Sequence, residues 1–191
     1  MKFWKKTATL ALAIAGLSFA SLASAQQKLV PAQSEITFVS KQMGVPVDGR
    51  FKKFDAQIAF DPTKLAGANI AFTVDTGSAT VGSPDSDSEL PKATWFSVAK
   101  FPQATFQSSG VKSLGGGKFQ VTGKLTIKGN TRDLDFPVAL TQAGGITTVN
   151  GQFTLKRLAF KIGENEWADT SMVADDVLVK VKLALSGVGK L

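Results

Sequence analysis

Lys118-Phe119-Gln120-Val121-Thr122-Gly123-Lys124-Leu125-Thr126-Ile127-Lys128-Gly129-Asn130-Thr131-Arg132-Asp133-Leu134-Asp135-Phe136-Pro137-Val138-Ala139-Leu140 decides the fold. Phe119, Val121, Leu125 and Ile127 alternate with Lys118, Gln120, Thr122, Lys124, Thr126 and Lys128. Leu134, Phe136, Val138 and Leu140 alternate with Asp133 and Asp135 and lead to Thr141. A period of two puts every second side chain on one face, so each run is a strand with a dry and a wet side. Gly129-Asn130 between them reads as a tight hairpin. Such a connection is too short for a crossover, so the pair is antiparallel.

The same period extends outward. Val177, Val179, Val181, Leu183 and Leu185 alternate with Asp176, Lys180, Lys182 and Ser186. Ile36 with Phe38, Ile58 with Phe60, and Ile70 with Phe72 and Val74 are shorter versions. Gly115-Gly116-Gly117, Gly144-Gly145, Asp61-Pro62 and Ala66-Gly67 supply turn signals between runs. The signals define about eight strands. Many one-sided strands with little helix leave a sandwich or a closed barrel, and an eight-stranded barrel has room for one small ligand. Helix is confined to short pieces. Ser86-Asp87-Ser88-Glu89 has the capping-box spacing, with Ser86 as cap and Glu89 reaching back. A second short turn is expected over 93–98, and 163–172 is polar and irregular around Trp167.

The chain starts with the basic Met1–Lys6, then an apolar run from Thr7 to Leu22, then Ala23-Ser24-Ala25. This order predicts a secretory signal peptide over residues 1–25, cleaved before Gln26, leaving 26–191 as the mature domain in the periplasm. Loss of Lys2, Lys5 and Lys6 lowers the formal charge from +7 to +4. The remaining lysines are scattered, which excludes the patch or stripe of a nucleic-acid face. The residual charge leaves room for transient contact with a membrane surface.

The sequence has no His, no Cys and no Tyr. The usual general base, thiol nucleophile and soft metal ligands are therefore missing, and a Ser-His-Asp triad cannot be built. Catalysis is not expected; an enzyme would have to work with carboxylates such as Asp133 or Asp169. Asp85, Asp87 and Glu89 lack the ligand number and spacing of a calcium loop and read as a solvated helix start. Asp133 and Asp135 share an outer, wet strand face.

Four stretches together resemble the YceI family of periplasmic lipid-binding proteins. Ser34-Glu35-Ile36-Thr37-Phe38 with Gly49-Arg50-Phe51-Lys52-Lys53-Phe54 is similar to that family's S-x-I-x-F and G-x-F-x-x-F strands. Trp95-Phe96 with Phe101-Pro102-Gln103-Ala104-Thr105-Phe106-Gln107-Ser108 resembles F-F…P-x-x-x-F-x-S. Gly123 to Arg132 resembles G-x-L-T-I-x-G-x-T-R, and Arg157 to Gly163 resembles R-x-x-F-x-I-G. The joint order spans nearly all of 26–191. Many members carry R-D-x-H-L where this chain has Ser83 to Leu90, so that segment's Arg and His have no counterpart here.

The resemblance implies an all-β fold: an eight-stranded antiparallel lipocalin-like barrel with one or two short helices. It also implies a polyisoprenoid or isoprenoid quinone in the pore, with no other cofactor and no metal. The expected pore wall is Phe38, Phe51, Ile58, Phe72, Phe106 and Phe119. Trp95, Phe96, Trp167 and Arg157 are expected at the mouth, where an indole N–H can serve a polar ligand end. Arg157 interrupts an apolar stretch, and an ion pair with Asp169 or Asp175 is its alternative role. A filled barrel serving as a protein-interaction or stress-response module is the alternative function. Monomer and homodimer both remain open.

Overall fold

The computed structural model describes residues 27–191. The signal peptide expected over residues 1–25 lies outside the described residues. The described chain folds into eleven antiparallel strands, one α-helix and several 3-10 turns. The strands are β1 (Lys28–Leu29), β2 (Glu35–Gln42), β3 (Val45–Phe51), β4 (Phe54–Ala59), β5 (Asn69–Asp75) and β6 (Ala79–Thr80). They continue with β7 (Gln103–Gly115), β8 (Lys118–Ile127), β9 (Asn130–Ala143), β10 (Ile146–Lys156) and β11 (Asp176–Ser186). The helix, α1, is Pro84–Glu89.

All strands belong to one curled sheet, in the order β4-β5-β7-β8-β9-β10-β11-β2-β3-β6, with β1 beside β11. The count of eleven against the expected eight has a geometric cause. β3 and β4 are one strand bent at Lys52-Lys53, β5 and β6 are one strand bent at 76–78, and the two-residue β1 is the third addition. The first half of the bent strand pairs with β2 and the second with β5. Its two halves therefore lie at opposite ends of the strand order, β4 outermost at one end and β3 next to the terminal β6 at the other. Hydrogen bonds hold the bend, from Lys52 N to the Ser78 carbonyl at 3.1 Å and from Asp75 N to the Lys53 carbonyl at 3.0 Å. Far from the bend, the Gln27 side-chain amide bonds both backbone groups of Phe60 and stands in for a ladder rung between β1 and the free edge of β4.

Alternation gives the sheet an apolar inner face. Its far end is closed by packed side chains that include Phe60, Val111, Phe119 and Leu140. Leu90, Phe96, Ala104, Ile127, Phe160 and Ile162 pack as a cap at the other end. Between the two, large rings lie against the wall because glycine sits beneath them. Gly49 is opposite Phe38 in the β2–β3 ladder, and a Cβ on Gly49 would lie 2.2 Å from the Phe38 ring. A Cβ on Gly123 would lie 2.5 Å from the Phe106 ring and 2.4 Å from the Gln107 carbonyl oxygen. Missing side chains at these strand positions allow close approach, so the rings line the barrel instead of crossing it.

Two local expectations are corrected. The hairpin turn centres on Lys128-Gly129, at φ 50° and 73°, and Asn130 already begins β9. A two-residue hairpin of this hand needs two positive φ values, and the Asn130 amide reaches back to the Lys128 carbonyl at 2.9 Å to hold it. The capping box is absent: α1 starts at Pro84 after Ser83, and no side chain caps it. Proline's fixed φ and missing N–H suit the first helical position, which moves the start ahead of Ser86.

Candidate functional site

Inside the barrel is a cavity of about 250 Å³. Its wall is almost wholly aliphatic and aromatic, supplied by every long strand. Ser40, Gln42, Ser86, Glu89, Trp95 and Trp167 mark one end of it. That end lies between α1, the β2–β3 turn and the loop before β11.

All ten expected site residues line this cavity. Phe38, Phe51, Ile58, Phe72, Phe106 and Phe119 stand on the wall, and Phe72 and Phe106 are neighbours across a ladder rung at 6.2 Å between ring centroids. Trp95 and Trp167 meet at the polar end, ring centroids 5.5 Å apart. Phe96 is buried in the cap, edge-on to Phe51, and packs more than it exposes.

Arg157 departs from its expected role. It is 1% exposed and donates every guanidinium N–H to a carbonyl. Nε bonds Ala174 O at 3.1 Å; Nη1 bonds Ile162 O and Gly163 O, each at 2.9 Å; Nη2 bonds Trp167 O and Val173 O, each at 2.6 Å. No donor is left for a ligand, and no carboxylate pairs with it within 4.0 Å among the described residues. Asp175 instead accepts from Leu158 N at 2.9 Å. Burial pushes the guanidinium down from its ordinary value, and the charge of Asp175 pushes back. Arg157 is thus the clamp of the mouth loop. A forked, five-donor group can gather carbonyls from 162 to 174 at one point, which a point-charge ammonium cannot.

Lys128 is a second buried cation with full use of its donors. Its ammonium bonds Ala93 O at 2.6 Å, Lys161 O at 2.7 Å and Glu164 Oε2 at 2.8 Å. Among the described residues, the only buried side-chain donors without a partner are the indole N–H groups of Trp95 and Trp167.

The acids sort as alternation implied. Asp133 is exposed and pairs with Lys124 at 2.8 Å, and Asp135 accepts from Gln120 on the same outer face. Asp169 accepts from Ser171 in an exposed turn, and it belongs to no group of three or more acids among the described residues. Asp87 does more than solvate a loop. It accepts from Thr80 Oγ1 at 2.5 Å and Val81 N at 2.7 Å, tying α1 to β6. The Thr80 hydroxyl, then the Val81 amide, hold its carboxyl below the ordinary 3.8. A depressed carboxyl pKa adds stability above the unfolded value and loses it as pH falls through the folded one. Release of a bound fluorescent hydrocarbon is therefore expected to rise below pH 3.8 as α1 loosens, and Asp87→Asn to flatten that acid dependence. A pH profile identical in the two proteins would refute the tie.

Sequence reasoning left out Val111, Val121, Phe136, Val138 and Phe153, which also line the cavity. Strand parity was the available signal for most of them. Val111 had none, because a bulge between Ser108 and Gly110 reverses the parity of β7 after Ala104 and Phe106.

A curled antiparallel sheet wrapped around a dry cavity, with polar groups at one end and no grouped catalytic side chains among the described residues, is a lipocalin-like barrel. The chain belongs to the YceI-like domain family, whose model matches residues 27–185. It is similar to protein YceI of Salmonella agona, 32% identical over 68% of this chain and 72% of that one. A UPF0312 protein of Vibrio cholerae is 31% identical over 59% of this chain and 60% of its own length, so less than two thirds of that relative is matched. Among solved structures, BcnA of Burkholderia cenocepacia superposes with TM-score 0.79 at 43% identity, covering 82% of this chain and 99% of BcnA. A polyisoprenoid binding domain from Saccharophagus degradans, implicated in plant cell wall breakdown, shares the fold at TM-score 0.69 and 16% identity, over 84% and 98% of the two chains.

Proposed function

We propose that this protein is a periplasmic carrier that holds a long isoprenoid lipid, a polyisoprenoid or isoprenoid quinone, inside its barrel. The observation that carries the reading is the continuous apolar cavity with polar groups gathered at one end. A polyisoprenoid tail has no hydrogen-bonding groups and asks only for dry wall. Burying several hundred Å² of such a tail is worth roughly 10 kcal/mol at about 25 cal/mol per Å², before the entropy of immobilisation. No catalytic side chain is needed for that affinity. The Saccharophagus domain, described as polyisoprenoid binding, supports the same use of the fold. A filled barrel acting only as an interaction module fits less well, because side chains leave the interior open. The expected leader over residues 1–25 supports export, and release by osmotic shock is the expected fractionation result.

The direct test is extraction. Protein expressed with its leader and purified without detergent is denatured, extracted into organic solvent and analysed by mass spectrometry. An isoprenoid close to one per chain is expected. Protein that yields no lipid would remove this function.

A further inference from the structure

We infer that the cavity is entered sideways, through a gap between the free edge of β3 and α1, and that α1 is the lid of that gap, hinged at Gly82 and latched by Asp87. The inference rests on the lipid-carrier reading and specifies how the cargo enters and leaves.

The gap follows from where the ladders stop. β3 pairs with β2 along its whole length, but with β6 only through Arg50–Thr80 and Phe51–Ala79. Val45 to Gly49 therefore have no strand partner on their other side among the described residues. Pro46 stands on that edge without an N–H to donate, which keeps the edge from zipping to a neighbour. Gln42 lies opposite Val45 and Ser40 opposite Val47, and both Gln42 and Ser40 line the cavity. Val45 shares their face yet is 63% exposed, so the inner face is open to solvent at this point. Across the opening, the lining resumes at Val81, Ser86 and Glu89.

α1 is built to move. After Pro84 it consists of Asp85, Ser86, Asp87, Ser88 and Glu89, and none of its residues is buried. A segment without buried apolar contacts opens at the low end of the local stability range. Gly82 precedes it at φ 78°, with nothing within 4 Å of a Cβ there, so the chain is free to swing at that point. Leu90 anchors the other end in the buried cap. Between the two, the Asp87 carboxylate accepts from Thr80 Oγ1 and Val81 N, the only side-chain hydrogen bonds joining α1 to the wall among the described residues. Glu89 pairs with Lys92 in the same segment and ties nothing to the barrel. Two anchored ends, one polar latch and an apolar space beneath make a gate, which sets the rate of exchange and not the affinity.

Because the sequence has no Cys, a single engineered disulfide can lock the lid. Thr80 Oγ1 and Asp87 Oδ2 lie 2.5 Å apart, so Thr80→Cys with Asp87→Cys puts two thiols at the latch within bonding reach. Uptake and release of diphenylhexatriene are followed by stopped-flow fluorescence on delipidated protein, first oxidised and then reduced. The oxidised form is expected to exchange the probe at least about tenfold more slowly in both directions with Kd kept within about twofold, because a locked lid raises the barrier and leaves the bound state alone. Reduction is expected to return exchange to the parental rate or above. Asp87→Ala removes the latch without a crosslink and is expected to speed uptake and release about fivefold at neutral pH, the shift that loss of one ordinary hydrogen bond allows. Exchange rates untouched by the disulfide overturn the inference. So does a locked form whose Kd moves as far as its rates. Should the double variant fail to fold or to oxidise, Asp87→Ala decides alone, and release at the parental rate overturns the lid. Failure of the parent protein to bind diphenylhexatriene at all would instead remove the carrier reading beneath it.

Discussion

Arg157→Met is expected to destabilise the protein by roughly 3–5 kcal/mol, read as a large fall in the urea midpoint. The loss of charge is not the cause. Methionine fills much of the same volume but donates nothing, so the carbonyls of Ile162, Gly163, Trp167, Val173 and Ala174 lose their shared donor together. Each buried carbonyl left unpaired costs on the order of 1–3 kcal/mol, and loop relaxation recovers part of the sum. Arg157→Lys should recover little, because an ammonium cannot reach acceptors spread on several sides of a planar fork. The same change should loosen the Trp95–Trp167 pair, since Trp167 is held through its carbonyl, and the near-ultraviolet dichroism of that pair should fall. A Met variant within about 1 kcal/mol of the parent, the range of a single ordinary hydrogen bond, would contradict the clamp.

The second large effect separates binding from stability. The three atoms nearest a methyl at Gly49 all belong to the Phe38 ring, at 2.2 to 2.8 Å. The ring can swing away, but the space available to it is the cavity. Gly49→Ala is expected to cost about 1 kcal/mol of stability, at the mild end of overpacking, yet weaken hydrocarbon binding tenfold or more. A methyl at Gly123 meets the Gln107 carbonyl oxygen at 2.4 Å as well as the Phe106 ring. Backbone cannot yield without spoiling the β7–β8 ladder, so Gly123→Ala is expected to cost about 3 kcal/mol or more. Probe displacement and urea unfolding on both variants check the pair. Equal losses of binding and stability at the two positions would show that the glycines do not keep the interior open in this way.

How much of this was legible in the sequence differs by element. β8, β9 and β11 could be read outright as strands, since local alternation fixes which face is apolar, and the short turn between β8 and β9 fixes their antiparallel pairing. The wall residues were expected from the family resemblance, and in the structure they line the cavity from the inner face of the strands. Helix α1 was displaced because Pro84 outweighed a better-looking cap at Ser86. The eleven strands were undercounted because bends at Lys52-Lys53 and at 76–78 each divide one run and β1 is only two residues long. Val111 escaped because a bulge resets the parity within β7.

Arg157 marks the boundary most clearly. Its sequence neighbourhood showed a charge among apolar residues and therefore a need for partners. It could not show whether those partners were a ligand, a carboxylate or backbone. Five carbonyls drawn from 162 to 174 converge on it only after the loop before β11 has folded back over the barrel. Period and turn chemistry act between near neighbours, so they determined antiparallel strands with one apolar face, a sandwich or a barrel, and the family resemblance pointed to the barrel. Whether that face met in the middle or stood apart was a matter of which glycines lay under which rings across strands, and of which cations were already consumed at the mouth. Those are contacts between distant residues, and only the tertiary structure decided them.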